Sequence, residues 1–513
     1  MKALVSMREA QELDAGAQER YGLSADQLME RAASLMLRAL EDRKLLARRT
    51  DGKPAALALC GRGNNAADAL ALLRMASFKG YGPLYAALPD RLSDTASRRA
   101  SEAAAAGVLI LDSSSAELPE LVRKSALLID GIAGTGMQGA LREPLASLAG
   151  LLSRAEVPIV ALDLPGGMYG YDGNPRVNAA LVRADYSLCV SPLKSELYFP
   201  GYRPSAGVIE GMEGVFPEPL EASSFLLEPE DLPSLLPALD RDAHKGERGA
   251  LGIHAASIGS LGAALIAARA GSASGAGTVT LMLRDEVYPL AAGSLSAQIV
   301  RPLSAGPGRR FDAALAGPGL GLDAAAGAIV AELLAGELPL VLDADALRLL
   351  PAQRPFPRKG PLVLTPHPGE LVPLALAAWA AEPDDADALR TARERWLYDT
   401  EALVKELARA YGAVVVLKGS VSWIAGADGR AAVWDGREPS LATGGSGDAL
   451  SALVAGLLAR GAKPFDAALA AVAAHGLAGR ELARTRGFYD ASDLPGIIGR
   501  ILYEEAHCGS LGD

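Results

Sequence analysis

Short apolar runs alternate with helix-length segments along most of the chain. In the first half these runs occupy residues 55–60, 84–88, 108–111, 126–129, 157–162 and 186–190. In the second half they occupy residues 250–254, 278–283, 313–315, 338–342, 362–364 and 413–417. Short strands that alternate with helices are joined by crossover connections, so the pattern predicts an α/β fold with parallel sheets.

Capping boxes mark two helix starts near the N-terminus. Ser6 is followed three residues later by Glu9, and Ser24 by Gln27, so each pair can satisfy backbone N–H groups at a helix end. Apolar residues then repeat at one-turn spacing at Leu28, Ala32, Met36 and Leu40. We therefore predict a helix after each box, the second with a buried face.

The alternating pattern stops between residues 221 and 237, where Ser, Pro, Leu and acidic residues mix. A chain of 513 residues is long enough for more than one core. We place a domain boundary here and predict two α/β domains, residues 1–221 and 222–513. The halves share no repeated motif, so we expect the two domains to be unrelated.

Charge and composition exclude several functional classes. The chain has 50 Lys and Arg against 61 Asp and Glu, a net charge of −11, and no basic patch for nucleic acid. Cys60, Cys189 and Cys508 lie far apart without a CxxC pair, which argues against a zinc site or a disulfide framework. No apolar run has membrane-spanning length, and charges interrupt the N-terminal segment where a signal peptide needs its apolar core. We expect a soluble cytoplasmic protein.

Polar residues of the first half cluster where predicted strands end, which is where open α/β sheets bind ligands. Four loops carry them: Asn64, Asn65 and Asp68; Asp130, Gly134, Thr135 and Gly136; Asp163 and Gly166; and Lys194. Glycines there let a ligand approach the backbone, and Asn and Asp oxygens can surround a cation. A helix cap explains any one such loop, but four at one sheet edge favour a binding site.

Segment 441–450 of the second half is the most informative stretch. Its glycines precede a predicted helix start, where backbone N–H groups form an anion hole, and Asp448 can accept a proton beside it. The alternative is that Asp448 only complements the helix N-terminus. Lys418 and His367 follow other predicted strands and reach the same edge. Three further histidines have no chemical motif around them and are expected to be structural: His254, His475 and His507.

The first-half loops, together with segment 28–33 and Pro192-x-Lys194, resemble the NAD(P)H-hydrate epimerase domain over about residues 1–220. The resemblance implies that these residues contact a hydrated nicotinamide dinucleotide: Asn64, Asn65, Asp68, Gly134, Thr135 and Gly136. It also implies that Asn65 and Asp130 ligate potassium and that a catalytic Asp163 lies at the nicotinamide-derived ring. Gly166 belongs to the same metal loop.

Four positions depart from that family pattern. Ala66, Ala67 and Ala69 stand where the family has glycines, and Gly166 stands where it has serine. An alanine is disfavoured wherever glycine had a positive φ or allowed close ligand approach. We therefore expect weak or absent conversion of the R-hydrate by this half, and a binding or scaffold role is the alternative.

The second half is similar, over about residues 225–505, to the ADP-dependent NAD(P)H-hydrate dehydratase domain of the ribokinase-like superfamily. Ordered motifs carry the resemblance: segments 244–246, 317–321, 342–347, 365–370, 417–419 and 442–448. It implies a hydrated cofactor near Gly319, His367 and Asp448, with Asp448 as the catalytic base. It implies an adenine nucleotide with Mg²⁺ near Lys418, Gly419, Ser420, Gly445 and Gly447. At 255–257 the family usually has Gly-Gly-Ser and this chain has Ala-Ala-Ser, which makes close substrate approach less expected.

The order of the two domains is that of the bifunctional NAD(P)H-hydrate repair family. The fold implied is an N-terminal Rossmann-like three-layer α/β/α domain followed by a ribokinase-like α/β/α domain. The implied function is epimerisation of R- and S-hydrates by the first and ADP-driven dehydration of the S-hydrate by the second, giving NAD(P)H, AMP and phosphate. A vitamin or sugar kinase with a non-catalytic N-terminal domain is the alternative. ADP or ATP, and NADH or NADPH hydrate, stay open, and the resemblance suggests a homo-oligomer.

Overall fold

A computed structural model of the chain describes residues 1–46, 48, 51–173, 180–216, 222–238, 240, 242–350 and 358–508. The chain divides into two compact units. The N-terminal unit contains Ala3–Ala222 and Glu394–Asp399, and the C-terminal unit contains Met1–Lys2, Ser223–Arg393 and Thr400–Asp513. Residue 221, at the predicted boundary, lies outside the described residues.

The N-terminal unit is built on parallel strands. Its helices are α1 (Met7–Tyr21), α2 (Ala25–Asp42), α3 (Asn64–Phe78), α4 (Asp94–Ala105), α5 (Leu118–Lys124) and α6 (Leu145–Leu152). Its strands are β1 (Lys2–Val5), β2 (Ala56–Cys60), β3 (Leu84–Leu88), β4 (Leu109–Asp112), β5 (Leu128–Gly131), β6 (Ile159–Leu162), β7 (Tyr186–Val190), β8 (Leu193–Lys194) and β9 (Val208–Met212). Seven strands form a parallel sheet in the order β4-β3-β2-β5-β6-β7-β9, and β1 pairs in parallel with β8.

The C-terminal unit has a larger sheet with helices around it. Its strands are β10 (Ser224–Leu226), β11 (Ala250–His254), β12 (Thr278–Leu283), β13 (Ile299–Pro302), β14 (Ala313–Ala316), β15 (Leu340–Leu342), β16 (Leu362–Leu364), β17 (Val414–Leu417), β18 (Ser422–Ala425) and β19 (Ala431–Trp434). The order within this unit is β13-β12-β11-β14-β15-β16-β17-β18-β19-β10. Its helices are α7 (Leu232–Leu235), α8 (Leu261–Ala273), α9 (Tyr288–Ala291), α10 (Ala324–Ala335), α11 (Ala344–Leu349), α12 (Pro368–Ala378), α13 (Ala386–Tyr398), α14 (Thr400–Tyr411), α15 (Ser446–Ala459), α16 (Pro464–Arg486) and α17 (Leu494–Cys508).

The predicted α/β class with parallel sheets is confirmed, and every predicted run forms a strand whose ends differ by at most two residues. Both capping boxes form as well. The Ser6 backbone N–H donates to Glu9 Oε2 at 2.7 Å, while the Glu9 N–H donates to Ser6 Oγ at 3.2 Å. Ser24 and Gln27 make the same reciprocal pair at the start of α2. The predicted face of α2 is buried.

The hairpin β18–β19 departs from the predicted parallel pattern. Strand β18 runs antiparallel to both β17 and β19, so the C-terminal sheet is mixed. The hairpin turns at Asp428-Gly429, where Gly429 has φ +91°, and the Gly426 N–H donates to the Arg430 carbonyl at 2.9 Å. Asp-Gly between two apolar runs favours such a turn, and this signal in the sequence could have found the hairpin.

Helix α15 is packed closely against α8. A Cβ added at Gly456 of α15 would lie 2.0 Å from Ser274 Oγ, so only glycine allows this approach. From Ala449 to Ala459 every residue of α15 is buried, and this fixes the position of its N-terminal turn. Although several helices are strongly apolar, none within the described residues combines the length and apolarity needed to span a membrane.

Ala256 adopts a backbone conformation that favours glycine. It has φ +66° in the loop between β11 and α8, at a position where the related family usually has glycine. Its side chain is fully buried, and its N–H donates to the Pro318 carbonyl at 3.0 Å. The surrounding contacts therefore hold an alanine in the left-handed region, at a cost of about 1 kcal/mol.

We predict that Ala256→Gly changes the free energy of unfolding by less than about 0.5 kcal/mol, because relief of the left-handed strain offsets the lost methyl group and the added backbone entropy. Urea denaturation measures this change. The control is Ala255→Gly, since Ala255 is equally buried but does not have a positive φ. It should destabilise by about 1 kcal/mol through backbone entropy and the lost methyl group. Equal destabilisation by the two variants would contradict the strain argument.

Candidate active sites

A cavity of about 770 Å³ lies at the carboxyl-end edge of the N-terminal sheet. Predicted site residues from three separate loops line it: Asn64, Asn65, Asp68, Gly134, Thr135, Gly136 and Asp163. Asp130 and Gly166, by contrast, are buried behind this lining. The fold therefore brings most of the predicted residues to one enclosed space.

Asp163 and Lys194 form an ion pair in this cavity. Lys194 Nζ lies 2.6 Å from Asp163 Oδ1 and also donates to the Val190 carbonyl at 2.7 Å. The Lys194 side chain is only 4% exposed. Asp163 has φ +63°, an unfavourable conformation for a residue other than glycine, which the pair and the Val190 N–H stabilise.

Two further carboxyl groups share the cavity. Burial raises the pKa of Asp68 well above its usual range, and the charges of Asp163 and Asp14 add to the increase. Burial also raises the pKa of Asp14, with Asp163 adding to the effect and Lys194 opposing it. One ammonium group thus faces three carboxyl groups, and this balance favours retention of a proton in the cavity.

Helix α1 contributes to the site, which the sequence analysis missed. Asp14 and Gln11 of α1 line the cavity, and Gln11 Nε2 donates to the Thr135 carbonyl. The first N–H of α1, that of Met7, donates to the buried Glu196 carboxylate at 2.9 Å. The capping box at Ser6 predicted this helix, but nothing in its sequence placed its inner face at a ligand site.

The predicted metal loop centres on Asp130. Its carboxylate accepts the Ile132 N–H at 3.0 Å and the Gly166 N–H at 2.7 Å. Burial raises the pKa of Asp130 to about 6, although these two hydrogen bonds oppose the shift. Asn65 Nδ2 donates to the Ala133 carbonyl at 3.0 Å, which turns the amide oxygen to the other side. A Cβ at Gly166 would lie 3.1 Å from Asp130 Oδ1, so a serine there requires a small displacement.

The alanines that replace family glycines do not obstruct this site. Ala66, Ala67 and Ala69 are fully buried within α3 and belong to the apolar core of the unit. None of the three has a positive φ, and none lines the cavity, where α3 presents Asn65 and Asp68 instead. The objection from positive φ is therefore wrong at these positions. The objection from close ligand approach and the expected weak conversion of the R-hydrate stay predictions, which the mixed-epimer assay below tests.

In the C-terminal unit, Asp448 lies in the first turn of α15 and is half-buried. Gly445, the N-cap residue, has φ +91°, and a Cβ there would lie 2.5 Å from Ile266 Cδ1. A Cβ at Gly447 would lie 3.2 Å from Lys418 Nζ. Gly445 thus lets the helix start pack against Ile266, and Gly447 lets an ammonium group approach the first turn.

Lys418 is already paired with a carboxylate. Its Nζ lies 2.5 Å from Asp343 Oδ1, and the Asp343 side chain is only 1% exposed. Burial alone would lower the pKa of Lys418, but Asp343 and Glu370 outweigh it and raise the pKa. Burial raises the pKa of Asp448 to about 7, Asp343 adds to the shift and Lys418 opposes it. Asp448 is therefore suited to exchange a proton near neutral pH.

His367 caps the helix that follows it. Its Nδ1 accepts the Gly369 N–H at 3.0 Å, and its own N–H donates to Glu370 Oε2 at 2.9 Å. The imidazole is 55% exposed beside Glu370, with Nε2 3.3 Å from Oε1. A structural role of His367 is thus evident, and the exposed part of the ring is free to meet a ligand at this edge.

The remaining predicted residues occupy neighbouring loops. Gly319 has φ +60°, and its carbonyl accepts hydrogen bonds from Ser257 Oγ at 3.0 Å and Ser260 Oγ at 2.6 Å. Gly419 and Ser420 follow Lys418 in the turn before β18. Their carbonyls accept the Ser422 hydroxyl and the Arg437 N–H, respectively. These contacts fix the backbone of both loops.

His475 lies closer to the site than the sequence analysis expected. Its Nε2 is 3.2 Å from Ser446 Oγ and 3.1 Å from the Ser446 carbonyl, at the first residue of α15. Burial lowers the pKa of His475 to about 4, so the ring is neutral at physiological pH. His254 is also buried and its pKa is lowered to about 4. The side chain of His507 lies outside the described residues.

These two sites define an α/β protein with a glycine-flanked helix N-terminus beside Asp448 and Lys418 in one unit and a cavity of about 770 Å³ around Asp163 and Lys194 in the other. Two family models match the chain. The model described as NAD(P)H-hydrate dehydratase matches residues 253–500, and the model described as YjeF-related protein N-terminus matches residues 25–195.

Full-length relatives match both units together. The bifunctional NAD(P)H-hydrate repair enzyme of Coxiella burnetii is 31% identical over 499 residues, covering 95% of this chain and 96% of the relative. The enzyme of the same name from Escherichia coli is 31% identical over 470 residues, covering 88% and 85%. The chain belongs to the bifunctional NAD(P)H-hydrate repair enzyme family. Because the relatives match both halves, the comparison supports the bifunctional repair enzyme and not the vitamin or sugar kinase.

Solved structures are similar to part of this chain. The ADP/ATP-dependent NAD(P)H-hydrate dehydratase of Bacillus subtilis, co-crystallised with ATP and Mg²⁺, is 28% identical with a TM-score of 0.47, covering 55% of this chain and 98% of that one. A ribokinase-like superfamily protein of Enterococcus faecalis is 25% identical with a TM-score of 0.47, covering 56% and 99%.

We predict that Lys194→Met lowers the free energy of unfolding by about 3 kcal/mol at pH 8, because it leaves buried carboxylates without their cation. The loss should be smaller at pH 5. Asp14 and Asp68 have raised pKa values in the folded state, and without Lys194 these values rise further, so the folded protein is penalised as pH increases. Urea denaturation at both pH values measures the effect.

Lys79→Met is the control for this variant. Lys79 pairs with Glu41 at 2.7 Å but is 53% exposed, so its removal should cost less than about 1 kcal/mol at either pH. A Lys194→Met loss no larger than that of the control would show that the cavity charges do not depend on Lys194.

Proposed function

We propose that the C-terminal unit dehydrates the S-hydrate of NADH or NADPH with a nucleotide as phosphoryl donor. The observation that supports this is the position of Asp448 in the first turn of α15, after the glycine N-cap, where burial raises its pKa to about 7. Asp448 takes the proton of the substrate hydroxyl. The hydroxyl oxygen of the substrate forms a bond to the terminal phosphorus of ADP, and AMP leaves. Loss of inorganic phosphate and a ring proton then restores the double bond.

The other predicted C-terminal residues support this step. We assign Gly445 and Gly447 to the anion hole, where backbone N–H groups stabilise charge on the transferring phosphoryl group. Lys418 supplies positive charge at the same helix turn. Gly319 and His367 are assigned to the hydrated cofactor, and their loops lie beyond β14 and β16 at the same sheet edge.

We propose that the N-terminal unit interconverts the R- and S-hydrates. The support is the cavity with Asp163 paired to Lys194 and Asp68 held in an environment that favours its protonated form. An acid and a base on separate walls suit removal and return of water at one carbon. Asn64, Asn65 and the Gly134–Gly136 loop are assigned to binding the dinucleotide.

Two metal ions are part of the proposal. We assign Mg²⁺ to the nucleotide phosphates, whose charge it would neutralise. We assign potassium to Asn65 and Asp130, because the amide oxygen and the buried carboxylate are oxygen donors at one loop junction. Gly166 does not fit as a side-chain ligand, and its carbonyl already accepts the Val182 N–H at 2.8 Å. The bound cation would supply positive charge beside the dinucleotide.

We also propose that the protein works in the cytoplasm as a homo-oligomer. Buried, free thiols at Cys60 and Cys189 support a reducing compartment. The oligomer rests on the family resemblance alone. Size-exclusion chromatography with light scattering tests it directly.

We predict that Asp448→Asn abolishes ADP-dependent recovery of NADH absorbance from the S-hydrate, a loss of about 10²-fold or more, because the amide cannot act as a base. In the wild type, kcat/KM should rise with pH through about 7 as Asp448 ionises. Asp466→Asn is the matched control, since Asp466 lies in the first turn of α16. If both variants keep activity, Asp448 only complements its helix dipole.

We predict that Asp163→Asn blocks conversion of the R-hydrate and leaves the dehydratase active. With mixed epimers, ADP and Mg²⁺, a wild type whose N-terminal unit epimerises recovers NADH absorbance completely, whereas the weak R-hydrate conversion expected from the sequence would leave it near half. The variant should stop near half conversion and continue only at the spontaneous rate, because the S-hydrate alone is consumed. A wild type that also stops at half conversion would show that this half is not an epimerase.

A further inference from the structure

The side chains of Asp343 and Lys418 are in contact although their strands are not neighbours in the sheet. Asp343 follows β15 and Lys418 follows β17, and β16 separates these two strands in the sheet. Lys418 Nζ nevertheless lies 2.5 Å from Asp343 Oδ1. The Lys418 backbone N–H donates to the Pro366 carbonyl at 2.8 Å, in the loop that follows β16. The lysine is therefore held at both its backbone and its ammonium group.

The Asp343 side chain is rigidly placed. It is 1% exposed, and its backbone N–H donates to the Ala316 carbonyl at 3.1 Å. A Cβ at Gly317 would lie 1.8 Å from the Asp343 carbonyl, so only glycine fits against this loop. The backbone at Asp343 is thus closely packed, and its buried carboxylate is the group that the Lys418 ammonium contacts.

That ammonium also reaches the catalytic turn of α15. Lys418 Nζ is 3.2 Å from the position that a Cβ would take at Gly447, the residue before Asp448. Among the described residues, the charged groups that act on Asp448 are Asp343 at the N-cap of α11, Asp345 within α11, Glu370 of α12 and Lys418. His475 of α16 contacts Ser446 in the same turn. Several carboxylates thus lie near Lys418, and its ammonium group contacts that of Asp343.

We propose that Asp343 is a positioning residue for the dehydration, holding the Lys418 ammonium away from the Asp448 carboxylate. Asp448 then stays available as the base, while the ammonium remains at the first turn of α15 for the phosphoryl group. This inference rests on the proposed function of the C-terminal unit. It assigns the Asp-Ala-Asp motif after β15 a role that sequence resemblance did not provide.

The charges support the same interpretation. The negative charge of Asp343 raises the pKa of Asp448, and the positive charge of Lys418 lowers it. Removal of the Asp343 charge ends its raising of the Asp448 pKa. It also frees Lys418 to pair with Asp448, so that Lys418 lowers this pKa further. Both changes lower the pKa of Asp448 and make it a weaker base.

The test is Asp343→Asn in the full chain, with ADP, Mg²⁺ and the S-hydrate. We expect kcat at pH 7.5 to fall about tenfold and the KM for ADP to change less than about threefold. The acid limb of the pH–rate profile should move to lower pH by about one unit. Asp343→Ser is the second variant, and the same shift is expected if the amide variant does not fold.

A direct titration distinguishes this inference from the proposed function. Carbon-13 NMR of protein labelled at the Asp side-chain carboxyl carbons, with Asp448→Asn to assign the signal, follows ionisation of Asp448 without catalysis. The titration midpoint should be lower in Asp343→Asn than in wild type, even if the wild type fails to dehydrate the hydrate. Failure of the wild type to dehydrate the hydrate would overturn the proposed function, but not the role of Asp343 in holding Lys418.

Asp312→Asn is the matched control. Asp312 precedes β14 at the opposite edge of the same sheet, where its carboxylate accepts the Ala250 N–H at 2.8 Å. It should leave the titration midpoint unchanged. A folded Asp343→Asn with an unmoved midpoint would overturn the inference and leave Asp343 a structural residue. A rise in KM for ADP with kcat unchanged would also overturn it, because Asp343 would then serve only nucleotide binding.

Discussion

A single buried ammonium group among several carboxyl groups organises the polar edge of each unit. Lys194 pairs with Asp163 in the N-terminal cavity, and Lys418 pairs with Asp343 beside α15. In both cases the ammonium neutralises one carboxylate and leaves another, Asp68 or Asp448, in surroundings that raise its pKa. Burial favours the neutral acid and the ammonium favours the charged one, and for Asp448 the balance gives a pKa of about 7. Removal of either lysine or its partner would disturb the whole cluster.

The parallel sheets make these clusters feasible. All parallel strands present their carboxyl ends to one edge, so residues far apart in sequence meet there. Asp343 and Lys418 are separated by 75 positions yet are in contact because β15 and β17 flank β16. Close helix packing then fixes the N-terminal turn of α15, since Gly456 brings α15 against α8. The apolar core thus determines the precision of the polar site.

Replacement of glycine by alanine has opposite consequences in the two units. Ala66, Ala67 and Ala69 lie within α3, where alanine is the better helix former and its methyl group fills the core. Ala256 instead has φ +66°, where a Cβ is strained. Alanine in place of glycine therefore stabilises helix α3 and strains the loop between β11 and α8. Backbone conformation, rather than residue type, decides which effect prevails.

The sequence by itself determined the α/β class, the positions of twelve strands, both capping boxes and the loops that reach the two sites, but not the buried hairpin β18–β19. Apolar runs and helix signals are patterns of residues that are neighbours in sequence, so they can be recognised in one sequence alone. Only the tertiary structure decided that Asp14 of α1 enters the N-terminal cavity, that His475 contacts Ser446, and that Lys418 is paired with Asp343. Those contacts join segments distant in the chain, and they depend on sheet order and helix packing, which no local pattern encodes.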